Sequence, residues 1–245
     1  MPAANASSAA VADLAPTGKL RAAINFGNPV LAAKDPATGE PGGISADLAR
    51  ELARRLGVPI EFVRYDSAGK VVDGLLKSAA WDVCFLAIDP LRAADISFTA
   101  AYVVIEGVYM VAEASPFDGN ADIDRPGRRV GVIVGSAYDL FLSRELKQAT
   151  IVRAAGIDGV VELWVAGQLD AMAGVKPQLE AIAKRLPGVR LLPERFMAIN
   201  QAMGTPRGRD AGARYLNAFL DEMKASGFVA QAFVRNRIEG AAMAP

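Results

Sequence analysis

The sequence predicts an α/β protein built from two lobes, because strand and helix patterns alternate in two successive sets. The first set covers residues 20–88 and the second covers residues 130–192. In each set, short apolar runs are separated by amphipathic segments, an order typical of mostly parallel sheets covered by helices on both faces. Two extended apolar segments, 102–112 and 196–203, are predicted to join the lobes.

The first set contains one helix with a clear pattern. Leu48, Leu52 and Leu56 recur every fourth residue, and Gly57 follows at a position where helices commonly end. A helix is therefore predicted over 45–56. The other predicted elements of this set are strands over 20–24, 60–63 and 82–88 and a helix over 70–79.

The second set repeats the same order of elements. Its predicted strands are 130–134, 150–153, 170–175 and 189–192, and its predicted helices are 136–147, 159–166 and 177–186. Two more helices, 209–226 and 228–237, are expected to pack on the first lobe. We therefore expect lobe 1 to contain residues 18–109 plus 199–245 and lobe 2 to contain 110–198. Residues 1–17, which are small and alanine-rich, are expected to form a disordered amino-terminal segment.

Composition excludes several classes of function. The 245 residues include 27 basic and 27 acidic side chains, so there is no clustered excess of charge for a nucleic acid. The sequence has no histidine and one cysteine, Cys84, which lies in an apolar strand and is interpreted as a core thiol. A Ser-His-Asp triad, a histidine or cysteine-rich metal site and an internal disulfide are excluded. We expect neither a metal nor a cofactor.

The strongest candidate for ligand binding is Arg92, in the segment that follows the strand over 82–88. Asp89 and Pro90 form a typical helix start there, so Asp89 has a structural interpretation as a cap. Arg92 would lie in the first helical turn, where a cation opposes the helix dipole. A guanidinium can hold a carboxylate through two parallel hydrogen bonds. Position alone leaves both a ligand contact and an internal salt bridge open for Arg92.

The second lobe offers an equivalent position after its first strand. Ser136 and Asp139 have the spacing of a capping box, which accounts for Ser136 structurally. A hydroxyl and free N–H groups at a helix start also form an anion site. Tyr138 lies in the same segment. In the first lobe, Phe26 and Asn28 occupy the turn after the first strand, where a ligand is expected.

A family resemblance is carried by several segments in a consistent order. These segments are Gly43–Ala49 leading into Leu56–Val58, the strand followed by Asp89–Arg92, Ile96–Tyr102, Val130–Val132 with Gly135–Ser136, and Gly167–Ala171. Together they resemble the extracellular solute-binding proteins of family 3, the polar amino-acid type with the type II periplasmic binding fold. The resemblance extends from about Gly18 to Gly227.

The resemblance implies a clamp for a carboxylate-bearing ligand, in which Arg92 binds the carboxylate and Ser136 assists from the other lobe. It also implies two hinge crossovers, delivery to the permease of an ABC transporter, a periplasmic location and a monomer. The sequence departs from the family at three positions, which hold Ala87, Asp89 and Val175. Val175 replaces the acidic residue that binds an α-ammonium group in relatives, so the ligand need not be an ordinary amino acid. Asp89 or Glu106 are alternative ammonium partners.

Three functions follow from these observations. The first is a non-enzymatic binding protein for an amino acid or related organic acid. The second is an enzyme on the same scaffold, similar to cyclohexadienyl dehydratases, with Glu106 or Asp89 as the acid. The third is a cytoplasmic ligand-sensing module, since the amino terminus is not a secretory signal as written.

Overall fold

The structure is a computed structural model that describes residues 6–245. Its helices are α1 (Ser8–Leu14), α2 (Ile44–Leu56), α3 (Ala68–Ser78), α4 (Ala137–Glu145), α5 (Ile157–Val165), α6 (Lys176–Ala183), α7 (Asp210–Ala225) and α8 (Phe228–Arg235). Its strands are β1 (Leu20–Asn25), β2 (Ala33–Lys34), β3 (Pro41–Gly42), β4 (Ile60–Tyr65), β5 (Val83–Ala87), β6 (Ile96–Ala112), β7 (Arg129–Ile133), β8 (Thr150–Ala154), β9 (Ala171–Val175), β10 (Val189–Leu191), β11 (Met197–Pro206) and β12 (Ala241–Met243). This alternation confirms the predicted α/β class.

The chain divides into two compact units. Of the described residues, unit 1 contains 6–103, 200–239 and 243–245, and unit 2 contains 104–199 and 240–242. The first boundary falls within β6, earlier than the predicted end of lobe 1 at residue 109. Residues 240–242, which were assigned to lobe 1, belong to unit 2 instead.

In unit 1, β1 is the middle strand of a sheet. It pairs in parallel with β4 on one side and with β5 on the other, and β11 pairs antiparallel with β5. Helices α2 and α3 pack on this sheet. The core includes Trp81, whose indole N–H donates to the Val71 carbonyl oxygen at 2.8 Å, and the fully buried Cys84. Burial raises the pKa of the Cys84 thiol, which keeps it protonated and unreactive.

Unit 2 repeats this arrangement. Strand β7 pairs in parallel with β8 and β9, and β6 pairs antiparallel with β9. Helices α4 and α5 pack on the middle strand β7, and α6 packs on β9. Strand β10 pairs antiparallel with β6. In each unit, three parallel strands thus lie side by side with an antiparallel strand next to them.

A buried carboxylate, immediately before β5, binds an arginine of the neighbouring strand β1 in unit 1. Asp82, which is 0% exposed, accepts hydrogen bonds from the backbone N–H, Nε and Nη2 of Arg21 at 3.1, 2.9 and 2.8 Å. It also accepts one from Arg209 Nη1 at 2.7 Å. The Asp82 side chain raises the pKa of the Arg21 guanidinium, so the pair stays charged. In unit 2, Asp170 accepts from the backbone N–H of Arg129 at 2.8 Å and from its Nε at 3.0 Å.

The amino-terminal segment was predicted to be disordered, and for its described residues this is wrong. Ser7 caps α1 by accepting from the Ala10 N–H at 3.2 Å, and alanine-rich sequence favours helix. Leu14 is fully buried, and the Asp13 carboxylate accepts from the Gly212 N–H at 2.9 Å. The helix is therefore held against α7. The rest of the prediction, at residues 1–5, falls outside the described residues.

We expect Asp82→Asn to lower the free energy of unfolding by about 3 kcal/mol, because Arg21 and Arg209 would lose the only carboxylate that they share in the described structure. The matched control is Asp170→Asn, which should cost about 1 kcal/mol because the Asp170 side chain is 25% exposed. Urea denaturation followed by circular dichroism measures both values. Equal losses of unfolding free energy in the two variants would contradict the prediction that Asp82 contributes more to stability than Asp170.

Candidate functional site

The carboxyl ends of β4, β1 and β5 lie at one edge of the unit 1 sheet because these strands are parallel. Residues Asn25 and Tyr65 are paired in register at the ends of β1 and β4, and Ala23 pairs with Cys84 of β5. The segments that follow these strands therefore lie near one another. They carry Phe26 and Asn28 after β1, Asp66 after β4, and Asp89 and Arg92 after β5. Ligands of α/β proteins bind at such edges.

Arg92 is a buried cation at this edge. Arg92 is 3% exposed. Its Nη1 donates to the carbonyl oxygen of Ala87, the last residue of β5, at 3.0 Å. Burial lowers the pKa of the Arg92 guanidinium to about 10, and the nearby Asp89 carboxylate opposes this shift. A negatively charged group close to Arg92 therefore stabilises its charged form.

The segment around Arg92 is not the helix that the sequence predicts. Residues Arg92–Ala94 form one turn of 3-10 helix, and the chain then enters β6. Asp89 is buried, and its Oδ1 accepts from the Leu91 N–H at 2.9 Å, so it holds a turn and does not cap an α-helix. The β-branched residues Ile96 and Thr99 favour the long strand that follows.

The turn after β1 fixes Phe26 in place. The Phe26 N–H donates to the Tyr65 carbonyl oxygen at 2.8 Å, and the Gly27 N–H donates to the Asn25 side chain at 2.9 Å. A Cβ atom on Gly27 would lie 2.4 Å from the Asp66 carbonyl oxygen, so this turn can pack against β4 only with glycine. Asn28 shapes the next turn, where its Oδ1 accepts from the Val30 N–H at 3.3 Å.

A cavity of about 410 Å³ lies next to Phe26, within unit 1. Its lining residues are Phe26, Lys34, Gly39, Arg64, Tyr65 and Asp66. Sequence reasoning identified only Phe26 among them. Asp66 could have been identified as a candidate, because it comes soon after a predicted strand. Lys34 could not, because it lies in a short hairpin that the sequence patterns did not predict.

In unit 2, Ser136 caps α4 as the sequence predicts. Its Oγ accepts from the Asp139 N–H at 3.0 Å, and the Asp139 carboxylate accepts from the Gly135 N–H at 2.8 Å. The Asp139 carboxylate also accepts from Arg153 Nε at 2.9 Å. Tyr138 is buried beside them, which raises the pKa of its hydroxyl, and its hydrogen bond with Ser136 opposes the shift. Arg153 was not identified from the sequence.

The carboxyl end of β9, in the same unit, carries Val175 and Lys176. Val175 is buried and immediately precedes α6. Lys176 donates to the Glu106 carboxylate at 3.0 Å, and Arg195 lies 3.8 Å from the same carboxylate. These two cations stabilise the charge of Glu106, which is an acidic residue within the apolar strand β6.

The predicted ligand-binding residues therefore fall into two groups. Phe26, Asn28, Asp89 and Arg92 lie in unit 1 at the carboxyl ends of β1 and β5. Ser136 and Tyr138 lie in unit 2 after β7. Their roles in binding stay predictions. Within residues 6–245, no three acidic or cysteine side chains lie close enough together to hold a metal ion, and no helix is long and apolar enough to span a membrane.

Two α/β units with charged and hydroxyl side chains at the carboxyl ends of parallel strands are typical of proteins that bind small solutes. The family model of the bacterial extracellular solute-binding proteins, family 3, matches residues 20–235. The chain belongs to this family, and its role is solute binding.

The chain is also similar to individual relatives and to solved structures. The histidine-binding periplasmic protein of Escherichia coli (strain K12) is 25% identical over 206 residues, which are 77% of this chain and 76% of the relative. A mutant of ArgBP from T. maritima has a TM-score of 0.78 at 22% identity, covering 94% of this chain and all of that one. An ancestral amino acid-binding protein, described as a precursor of cyclohexadienyl dehydratase, has a TM-score of 0.75 at 22% identity over 92% and 97% of the two chains. The two structures show that the fold is shared, which confirms the predicted type II fold.

We expect Ser136→Ala to lower the free energy of unfolding by about 1 kcal/mol, because the Asp139 N–H at the start of α4 would lose its side-chain acceptor. Ser136→Thr should cost less, because threonine retains the hydroxyl. Urea denaturation measures both variants, and Ser67→Ala, which removes the cap of α3, serves as the matched control. An unchanged stability of Ser136→Ala would contradict the capping role.

Proposed function

We propose that this protein captures a small ligand with a carboxylate group, an amino acid or a related organic acid, and that Arg92 binds the carboxylate. The observation that carries the proposal is the buried guanidinium of Arg92 at the carboxyl end of β5. The family is one of solute-binding proteins, and the relatives described above are named for binding amino acids.

A buried cation is costly, and a ligand can offset part of that cost. Burial disfavours the charged form of Arg92, and an anion that binds beside it restores favourable electrostatic energy. The guanidinium presents its N–H donors in a fixed planar fork, and its Nη1 donates to the Ala87 carbonyl oxygen. That bond orients the group, and orientation before binding lowers the entropy cost of gripping a carboxylate.

The recognition of an ammonium group is a separate question. Val175 is apolar and cannot pair with a cation, and Glu106 is bonded to Lys176. Asp89 is the remaining predicted partner, and it lies close enough to Arg92 to affect its pKa. We therefore propose that the carboxylate contributes more to affinity than any α-ammonium group does.

Binding without catalysis is the proposal that the contacts favour. The two carboxylates considered as catalytic acids both have structural bonds: Glu106 with Lys176, and Asp89 with the Leu91 N–H. The likeness to a precursor of cyclohexadienyl dehydratase is at 22% identity and concerns the fold. Accordingly, we propose no turnover of the ligand.

The proposed setting is the periplasm, with an ABC transporter permease as the membrane partner and a monomer as the working form. The family and the histidine-binding relative, which is named as periplasmic, support this setting. Fractionation of cells that express the full gene, with antibody detection, tests the location.

If Arg92 binds the ligand carboxylate, Arg92→Met should weaken ligand binding strongly. Two charge-assisted hydrogen bonds would be lost, so affinity should fall by about 100-fold or more. The wild-type protein is first screened by thermal shift against amino acids and their deaminated analogues. A ligand at about 100 times its dissociation constant adds about 2.7 kcal/mol of stability, which raises the melting temperature measurably.

The controls separate binding from folding. Arg92→Lys keeps the charge without the forked donor pattern, and Arg54→Met removes an arginine that is paired with Glu51 at 2.8 Å on the surface of α2. Circular dichroism without ligand shows whether each variant folds. If a folded Arg92→Met variant keeps the wild-type affinity, the clamp role is wrong. If α-amino acids bind and their deaminated analogues do not, the interpretation of Val175 is wrong.

A further inference from the structure

Lys34 lies in the wall of the cavity beside Phe26 and contacts an aromatic ring. The Lys34 ammonium lies 5.2 Å from the centre of the Phe26 ring, in the geometry of a cation–π interaction. Both residues line the cavity of about 410 Å³. One face of the Phe26 ring is therefore next to a positive charge that the chain supplies itself.

The other charged groups of the cavity wall are balanced by ion pairs. Arg64 donates to the Glu40 carboxylate at 2.7 Å, and Asp66 accepts from the Lys70 ammonium at 2.7 Å. These two pairs contribute no net charge. Lys34 adds one more positive charge to these two pairs, and it also acts on the Asp66 carboxylate, whose pKa is lowered chiefly by the hydrogen bond from Lys70 and to a smaller extent by Lys34.

A short hairpin fixes the position of Lys34. Strands β2 and β3 pair Lys34 with Pro41, and the connecting turn is held by the Asp35 carboxylate, which accepts from the Ala37 and Thr38 N–H groups at 3.0 and 2.8 Å. Hydrogen bonds of this kind order a turn. The ammonium is consequently presented to the cavity by an ordered backbone.

We propose that Lys34 determines the charge preference of the binding site, so that the ligand carries an anionic or uncharged group at the end opposite its carboxylate and cationic ligands are rejected. This inference rests on the proposed function, because it concerns the same ligand. The cavity and Arg92 lie at the same edge of the unit 1 sheet, since β1, β4 and β5 are parallel and end there. A single small ligand is proposed to reach both.

The physical basis is repulsion combined with competition. A cationic group that approaches the face of the Phe26 ring next to Lys34 would lie within a few ångströms of the Lys34 ammonium and would have to displace it from that face. Like charges at such distances repel by an amount that changes affinity about tenfold or more near a protein surface. An anionic group at the same place is attracted to Lys34 and leaves its contact with the ring intact.

The test compares two pairs of probes by isothermal titration calorimetry. L-glutamate and L-arginine differ in the charge of the distal group, and glutarate and 6-aminohexanoate repeat that comparison without an α-amino group. The variants are Lys34→Gln, which removes the charge, and Lys34→Arg, which keeps it. Lys77→Gln is the matched control, because it removes an exposed lysine of the same unit that is paired with Asp73 at 2.8 Å.

We expect the wild-type protein to bind the anionic member of at least one pair more tightly than the cationic member. In Lys34→Gln that preference should fall by about tenfold or more, whereas Lys34→Arg and Lys77→Gln should retain it. Preferential binding of L-arginine or 6-aminohexanoate to the wild type would overturn the proposal. So would equal effects of Lys34→Gln and Lys77→Gln.

The result also separates this inference from the proposed function. Binding that depends on Arg92 but not on the charge at residue 34 overturns the role of Lys34 alone. If none of the wider set of amino acids and organic acids binds to the wild type, both proposals are wrong.

Discussion

The bond between Asp82 and Arg21 is the constraint on which the architecture of unit 1 depends. It ties the start of β1 to the residue before β5 through three hydrogen bonds to one carboxylate. Because Asp82 immediately precedes β5, this contact helps to fix the register in which β5 pairs with β1, where Ala23 lies opposite Cys84. Register in turn decides which residues follow each strand at the carboxyl edge, where Phe26 and Arg92 lie. A structural salt bridge at one end of the sheet thus positions the candidate binding groups at the other end.

Unit 2 uses the same device with Asp170 and Arg129, and the comparison shows what is particular to unit 1. In unit 2 the carboxylate serves one arginine and is partly exposed, whereas Asp82 also receives Arg209, which in turn donates to the Asp13 carbonyl oxygen. The return of the chain through α7 and the docking of α1 therefore meet at Asp82. This cluster links segments that are far apart in sequence, and burial without solvent screening makes each of its bonds matter more.

Much of the fold could be predicted from the sequence because strands and helices leave local patterns. The leucines of α2, the glycine after it and the capping box at Ser136 are all signals within a few residues. The failures have a different cause. Docking of α1 depends on Gly212 from the other end of the chain, and the strand at Ala241–Met243 is defined by its pairing with β6. For the site, Arg92 and Ser136 could be proposed from their positions after strands. Lys34 could not, because its contact with Phe26 is created by a hairpin of two-residue strands.

The distribution of charge at the carboxyl edges bears on the choice of ligand. In unit 1 this edge carries Arg92 with the carboxylates Asp66 and Asp89, and Lys34 lies in the hairpin next to Phe26. In unit 2 the corresponding edge carries Val175, where relatives are expected to have an acid, followed by Lys176, whose charge is balanced by Glu106. The carboxylates near these edges that could pair with the ammonium group of a zwitterionic or cationic ligand are Asp89 and Asp66, which already accept hydrogen bonds from the Leu91 N–H and from Lys70. An anionic ligand needs only the cations that are present. On the proposals that Val175 stands where relatives have an acid and that Lys34 acts on the ligand, both residues favour a ligand with more negative charge than a basic amino acid carries.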